Sequence, residues 1–277
     1  MACVFNCWVL WVMLVLTGFK FYLKLTTGIC KSKKRLDGKT VIITGANTGI
    51  GKETARDLAQ RGAKVILACR DLEKGKNACD EIIAQTGNTN VEVQHLDLSS
   101  LASVRKFANN IINTEPHLDV LINNAGATRV GQKLTEDGLL LGMQVNHFGP
   151  YLLTCLLVGM IINTVPRNVV VVVVVVGVTV NSLHPGLVAS DIWRNFGPFL
   201  GAALKFILRW FCKDPREGAQ TSIYLAVSED VEGVSGKYFL DCKEAAPSKL
   251  ALDEGLAKKL WEKSETLVGL KPDEADF

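Results

Sequence analysis

Thr40 to Thr44 (TVIIT) is a short apolar run that passes directly into Gly45-Ala46-Asn47-Thr48-Gly49-Ile50-Gly51, and an amphipathic stretch follows to Arg61, with Gly62 as its stop. A strand that turns through glycines into a helix leaves the helix's first N–H groups free, so the turn is a ready anion site. The pattern then repeats. Lys64 to Cys69 (KVILAC) reads as a second strand, and Asp71 can cap a helix to about Gln85 that Gly87 ends. Val91 to Leu96 is a third strand. Ser99 or Ser100 caps a helix carrying Leu101, Val104, Phe107 and Ile111, and Asp119 to Asn123 (DVLIN) is a fourth strand. Strands that are apolar throughout and alternate with helices indicate a parallel sheet covered on both faces. The predicted class is therefore α/β, a Rossmann-like doubly wound parallel sheet.

The glycines have a mechanical reading. Gly45 permits the tight turn, and Gly49 and Gly51 let backbone approach a pyrophosphate at the helix N-terminus. The second strand ends in Ala68-Cys69-Arg70, where an NAD site usually places an acid for the ribose hydroxyls. Arg70 instead offers a planar charged fork for a 2′-phosphate, which favours NADP(H).

Ahead of this unit, Ala2 to Phe19 is nearly free of polar residues, and the stretch to Leu25 adds Lys20 and Lys24. About 20 apolar residues suffice to cross a bilayer. Trp8, Trp11 and Tyr22 suit its interfaces, and Lys31-Ser32-Lys33-Lys34-Arg35 places the body of the chain on the cytoplasmic side. The segment lacks the basic start and cleavage site of a signal peptide. Residues 1–30 therefore read as a membrane anchor, an N-terminal transmembrane helix, and 31–277 as one dinucleotide-binding domain. Six of the 31 basic side chains lie in Lys20 to Arg35, leaving 25 against 28 acids in the rest, a balance that argues against a nucleic-acid partner. The eight cysteines form no CxxC pair and do not cluster with the four histidines, so no metal site is expected and the thiols read as reduced.

Together these motifs resemble the short-chain dehydrogenase/reductase family, with details (TGANTGIGKETA, LACRD, NNAG, VNHFGPYLLT, VNSLHPG) closest to its membrane-anchored retinol dehydrogenases. The resemblance runs from about Leu36 to Gly269. It implies cofactor contacts from Gly45, Asn47, Thr48, Gly49, Ile50, Gly51 and Arg70, and from Asp97 and Leu98 at the adenine. It adds Asn124, Ala125 and Gly126 of the NNAG motif, and Pro185, Gly186 and Ser190 near the nicotinamide. It implies hydride transfer between NADP(H) and a lipophilic carbonyl or alcohol such as retinal or retinol, in the endoplasmic reticulum membrane with the body facing the cytosol. Its catalytic tetrad is an Asn, a Ser, a Tyr and a Lys four residues after the Tyr. Asn146 matches the Asn.

The other three are absent. The tyrosines are Tyr22, Tyr151, Tyr224 and Tyr238, and four residues beyond them stand Thr26, Cys155, Ser228 and Cys242. Where the strand ending in the catalytic Ser belongs, Val169 to Val176 are eight consecutive valines, and Val178 to Leu183 already resembles the next strand. Neighbouring parallel strands need a crossover of about a dozen residues. Asn168 to Leu183 is therefore expected as one long strand or a strand with an irregular tail, and the sheet as short of one strand and its crossover helix. Tyr151, His147, His184 and Ser182 read as packing or hydrogen-bonded residues rather than a replacement acid/base. Asn146, with no tyrosine to serve, is expected to matter little. The chain as written is thus expected to be inactive: a membrane-bound NADP(H)-binding pseudoenzyme, or a product of defective splicing or gene assembly. Leu187 to Lys213, rich in Trp, Phe, Leu and Ile, is expected to cover a lipophilic substrate. Lys205 and Arg209 could rest on headgroups there. Asp214-Pro215 begins a helix, Lys237 to Asp241 is a last strand, and Leu250 to Val268 a terminal helix.

Overall fold

The computed structural model describes residues 2–162, 168–169, 179–189, 210 and 212–274. Helix α1 (Ala2–Thr26) runs for 25 residues, and its side chains are described from Trp11 on, Val12 apart. Those of Trp11, Leu14, Phe19, Phe21, Tyr22 and Leu25 are all exposed, so apolar groups face outward around the helix. Among the described residues no helix is long and apolar enough to cross a membrane.

Four strands, β1 (Thr40–Thr44), β2 (Lys64–Cys69), β3 (Val91–His95) and β4 (Val120–Ile122), form a parallel sheet in the order β3-β2-β1-β4. Every residue of β1 is buried. Because side chains alternate across a strand, Val41, Ile43, Val65 and Leu67 face one layer while Ile42 and Ile66 face the other. The first layer packs α2 (Gly49–Gln60), α3 (Leu72–Thr86) and α7 (Pro215–Val227) through Leu58, Ile82 and Ile223. The second packs α4 (Leu101–Thr114) and α6 (Gly149–Ile162) through Val104, Phe107, Leu152 and Leu157. Helix α5 (Leu141–Met143) enters α6 through a π-helical turn at Gln144–Phe148.

The helix starts follow the sequence. Asp71 caps α3, Ser100 caps α4, and Asp214 caps α7 in a reciprocal box with Glu217 and Pro215 in the first turn. At the lower edge of the sheet, Lys39 Nζ and the Thr40 N–H both donate to buried Asp119 at 2.9 Å, tying β1 to β4. The opposite edge, where the strands end, is left for a site.

Beyond α6 the described strands form two further groups. β5 (Asn168–Val169) lies parallel to β6 (Thr179–Val180), and β7 (Ser182–His184) lies parallel to β8 (Tyr238–Leu240), which continues antiparallel to β9 (Lys243–Ala245). Neither group is hydrogen-bonded to the four-stranded sheet among the described residues. This corrects the expectation of one long strand: Asn168–Val169 and Thr179–Val180 pair with each other in parallel register, and the intervening 170–178 is shorter than an ordinary crossover. Residues 170–178, which hold most of the valine run, lie outside the described residues. So do 190–209 and 211, with Ser190, Lys205, Arg209 and most of the aromatic segment. The terminal helix is also divided, into a 3-10 turn (Lys249–Leu252) and α8 (Glu254–Val268).

Candidate cofactor site

With the order β3-β2-β1-β4, the chain reverses direction across the sheet between β1 and β4, the place where open parallel sheets bind ligands beyond their strand ends. The loop after β1 fills that place. Gly45 has φ +65° and Gly49 φ +59°, a region that L side chains rarely adopt. A Cβ on Gly51 would lie 2.4 Å from Asn124 Nδ2 and 2.8 Å from the Gly45 carbonyl, so this glycine is required by close approach.

The loop after β4 is laced onto it. Thr44 Oγ1 accepts from the N–H groups of Asn124 and Ala125, both at 3.0 Å, and Asn124 Nδ2 donates to the Thr44 carbonyl at 2.8 Å. Helix α2 then starts at Gly49. A helix N-terminus beside glycines that leave room for backbone approach fits a pyrophosphate, so these residues could hold a dinucleotide.

The other sequence-predicted residues fall around this loop. Arg70 is exposed at the end of β2, while its neighbour Asp71 is occupied as the α3 cap, accepting from the Lys74 N–H. That hydrogen bond is the main reason the Asp71 carboxyl lies below its ordinary value. Asp97 follows β3 and accepts from both the N–H and the hydroxyl of Ser99, and Leu98 is buried against Gly149. Gly186, at φ +85°, forms the turn after β7, where the Pro185 carbonyl accepts from Lys213 Nζ at 3.1 Å. A Cβ on Gly218 would meet Val188 at 2.7 Å and Ile50 at 3.2 Å, so the segment after Pro185-Gly186 reaches the start of α2. Two contributors were not singled out from sequence. Thr44 clasps the two loops, and Gly218 lets α7 approach. The first is signalled by a hydroxyl at a strand end; the second has no local signal.

Asn146 lies in the π-helical turn and uses both ends of its amide: Oδ1 accepts from the Ala127 N–H at 2.7 Å and Nδ2 donates to the Ala127 carbonyl at 2.9 Å. It therefore holds the segment after Asn123-Asn124-Ala125-Gly126 in place, which modifies the expectation that it is idle. Tyr151 is buried, its ring 5.1 Å from that of Trp261. Its hydroxyl has no oxygen or nitrogen partner among the described residues and lies beside the Cys155 thiol; burial drives its pKa far up. Near neutrality it therefore keeps its proton, facing a thiol in the core. His147 Nε2 is bonded to Ser264 Oγ at 2.8 Å, and His184 Nδ1 accepts from the Gly186 N–H at 2.8 Å. Ser182 Oγ donates to the Lys237 carbonyl at 3.4 Å. The described cysteines are free thiols, with Cys69, Cys79 and Cys155 buried.

The short chain dehydrogenase family profile matches residues 39–179. Human retinol dehydrogenase 13 is 40% identical over 296 aligned positions, covering 89% of each chain. Mouse retinol dehydrogenase 11 is 39% identical, covering 90% of this chain and 92% of its own. Among solved structures, a short-chain type dehydrogenase/reductase from Mycobacterium marinum has the same fold, with TM-score 0.60 at 19% identity over 74% of this chain and 94% of its own. A 3-oxoacyl (acyl-carrier-protein) reductase from Agrobacterium tumefaciens with NADP bound gives TM-score 0.61 at 22% identity, over 74% and 93%. The fold and the loop between β1 and α2 define a nicotinamide-dependent oxidoreductase scaffold. The chain belongs to the short-chain dehydrogenase family, and the two curated relatives above are retinol dehydrogenases.

Proposed function

We propose that this chain is a membrane-anchored, NADP(H)-binding protein of the retinol dehydrogenase type whose present sequence binds cofactor but does not turn over substrate. The observation that carries this reading is a contrast. The cradle from Gly45 to Gly51, clasped by Thr44 and Asn124, is complete, yet the sequence holds no Tyr-x-x-x-Lys and no strand-end Ser before one. When bound, the nicotinamide supplies or accepts the hydride. The chain's own part is to hold the pyrophosphate on the first N–H groups of α2 and the 2′-phosphate on Arg70. Asp97 and Leu98 bound the adenine, and Asn124, Ala125, Gly126, Pro185, Gly186 and Ser190 the nicotinamide side. Tyr151 is buried and His184 is engaged with Gly186, so neither is placed to deliver a proton to an alkoxide.

A second reading is that a processing or assembly error removed a catalytic segment from an active enzyme. The alignment to human retinol dehydrogenase 13 spans 296 positions, more than the 277 residues here. That relative therefore has aligned positions with no counterpart in this chain, and 170–178 is shorter than the connection that neighbouring parallel strands need. A lipophilic substrate and an endoplasmic reticulum location are carried over from the resemblance. Anchoring rests on the outward apolar faces of α1 and on the Lys31 to Arg35 cluster, which would keep the body in the cytosol.

The test is thermal stabilisation and binding of the full-length chain in detergent. NADPH should bind about tenfold more tightly than NADH, equivalent to ~1.4 kcal/mol, and Arg70→Asp should reverse the order. Equal binding of both, unchanged in the variant, would refute the role of Arg70.

A further inference from the structure

Lys213 holds the turn that follows β7 from three directions. Its Nζ donates to the Pro185 carbonyl at 3.1 Å, its N–H donates to the Leu187 carbonyl at 2.9 Å, and its own carbonyl accepts from the Ala189 N–H at 2.9 Å. The same side chain lies against Gly186, where a Cβ would meet Lys213 Nζ at 2.9 Å and Cε at 3.1 Å. The far end of the turn reaches the cofactor loop, since a Cβ on Gly218 would meet both Val188 and Ile50.

The Lys213 ammonium is itself held by Asp241, the two side chains being 14% and 32% exposed. Asp241 and Cys242 make the two-residue turn between β8 and β9, at φ +52° and +57°. Such a turn usually carries Asn-Gly or Asp-Gly, and two non-glycine residues persist there only when their surroundings fix them. Asp241 Oδ1 accepts from the Gly28 N–H at 3.2 Å as well as from Lys213, and the Cys242 N–H donates to Thr221 Oγ1 at 3.3 Å. Gly28 lies so close that a Cβ on it would run into the Asp241 carbonyl. Two residues on, the Cys30 N–H donates to Gln220 Oε1 at 3.1 Å, so the stem between α1 and β1 is fastened at two points. Burial pushes the Asp241 carboxyl up, but hydrogen bonds from Lys213 and the Gly28 N–H outweigh it and hold the group below its ordinary value, so it remains an acceptor. Lys213, Asp241 and Gly186 also line a cavity whose other wall is the last turns of α1, with Lys20 and Lys24, so the pair stands between the anchor's root and the turn after β7.

We propose that Lys213 and Asp241 are positioning residues, which fix the Pro185-Gly186 turn for the nicotinamide half of the cofactor and tie the order of that turn to the stem at Gly28. Neither has to touch the cofactor. One ammonium serves the Pro185 carbonyl and the Asp241 carboxylate, and one carboxylate oxygen serves Lys213 and the Gly28 N–H. Removing the ammonium leaves the turn on the backbone bonds of residue 213 alone. A turn that is already ordered costs less conformational freedom when a ligand settles on it. The coupling is reciprocal: what the stem's order lends to cofactor binding, cofactor binding lends to the stem. This inference rests on the assignment of Pro185 and Gly186 to the nicotinamide side in the reading above.

A fragment of the cofactor separates positioning from mere support of the fold. 2′-Phospho-ADP-ribose has the adenine, the 2′-phosphate and the pyrophosphate of NADPH but no nicotinamide. Both ligands are titrated calorimetrically into the full-length chain in detergent. Lys213→Met should weaken NADPH about tenfold and leave the fragment unchanged, a coupling of ordinary size. Asp241→Asn, which keeps a residue that tolerates the left-handed turn, should weaken NADPH selectively and by less. In the parent, NADPH and not the fragment should slow hydrogen exchange at the amides of Gly28 to Cys30, and Lys213→Met should abolish that slowing. Unchanged NADPH binding in Lys213→Met overturns the proposal and leaves the cofactor reading standing. If Lys213→Met loses both ligands, Asp241→Asn decides: selective loss of NADPH supports the positioning role, and equal loss of both overturns it. Equal slowing of the stem by both ligands, or none by either, overturns the tie to Gly28. A parent chain that binds neither ligand overturns the cofactor reading and this proposal with it.

Discussion

The chain joins its parallel strands in two different ways. Between β1 and β2, whose five consecutive residue pairs run in register from Thr40–Lys64 to Thr44–Ala68, a complete helix, α2, carries the chain back over the sheet. Between β5 and β6, which pair in parallel at Asn168–Thr179 and Val169–Val180, the sequence has only the nine residues 170–178, fewer than the dozen or so of an ordinary crossover. Valine is a strong strand former, but a connection of that length leaves no sequence for the segment that carries Tyr and Lys in the family, whereas the loop after β1 keeps its glycines.

Restoring the connection is the strongest way to break this contrast. Replacing Val170 to Val176 by a segment carrying a strand-end Ser and Tyr-x-x-x-Lys should turn a chain without measurable NADPH-dependent retinal reduction into an active one. An acid/base alone contributes ~10²–10⁴-fold, and groups that act as a unit are regained together. Steady-state NADPH oxidation is the measurement. Equal rates with and without the graft would show that the gap is not what silences the chain. Asn146→Ala should cost more in the grafted chain than in the parent, where its amide already holds Ala127.

The intact side can be broken with one side chain. In Gly51→Val the new Cβ meets Asn124 Nδ2 and the Gly45 carbonyl, both closer than 3 Å. Either the loop moves, or Asn124 releases Thr44. Overpacking of this kind costs about 1–3 kcal/mol, and the displaced loop no longer presents its N–H groups. The NADPH thermal shift should vanish while the far-ultraviolet circular dichroism stays that of an α/β fold. A full NADPH shift in the variant would show that the cofactor does not use this loop.

Much of this was legible because the first half obeys local rules. Asp71, Ser100 and Asp214 are capping residues at helix starts, and Gly62 and Gly87 end helices at positive φ. The apolar runs of β1 and β2 fix both faces of the sheet. What was not legible depends on distant partners. The parallel pairing of β5 with β6 brings together residues on either side of 170–178, which a run of valines does not announce. The hold of Asn146 on Ala127 needs the π-helical turn that aims it, and the cavity at α1 needs Asp241 and Lys213 to meet Lys24 and Gly186 in space. The resemblance supplied roles for residues, whereas the packing supplied the second task of Asn146.

The smallest expected effect concerns the seam between the intact layer and α8. Buried Ser264 donates to the Leu260 carbonyl at 2.7 Å, so its oxygen must accept from His147 Nε2, which fixes the neutral tautomer with its proton on Nε2. Burial lowers the His147 pKa from its usual 6.5. A histidine whose folded pKa is depressed contributes stability above the unfolded value, and this is lost as pH falls through the folded one. The melting temperature should therefore fall between pH 7 and pH 5 by more in the parent than in His147→Gln, whose amide can still donate to Ser264. The difference should be on the order of 2 °C, since the ring is only half buried. The same seam holds α6 to the terminal helix rather than to the cofactor loop, so NADPH should shift both proteins equally at each pH. A variant that lost its NADPH shift along with its acid sensitivity would mean that the intact half is one cooperative unit reaching from the cradle to α8.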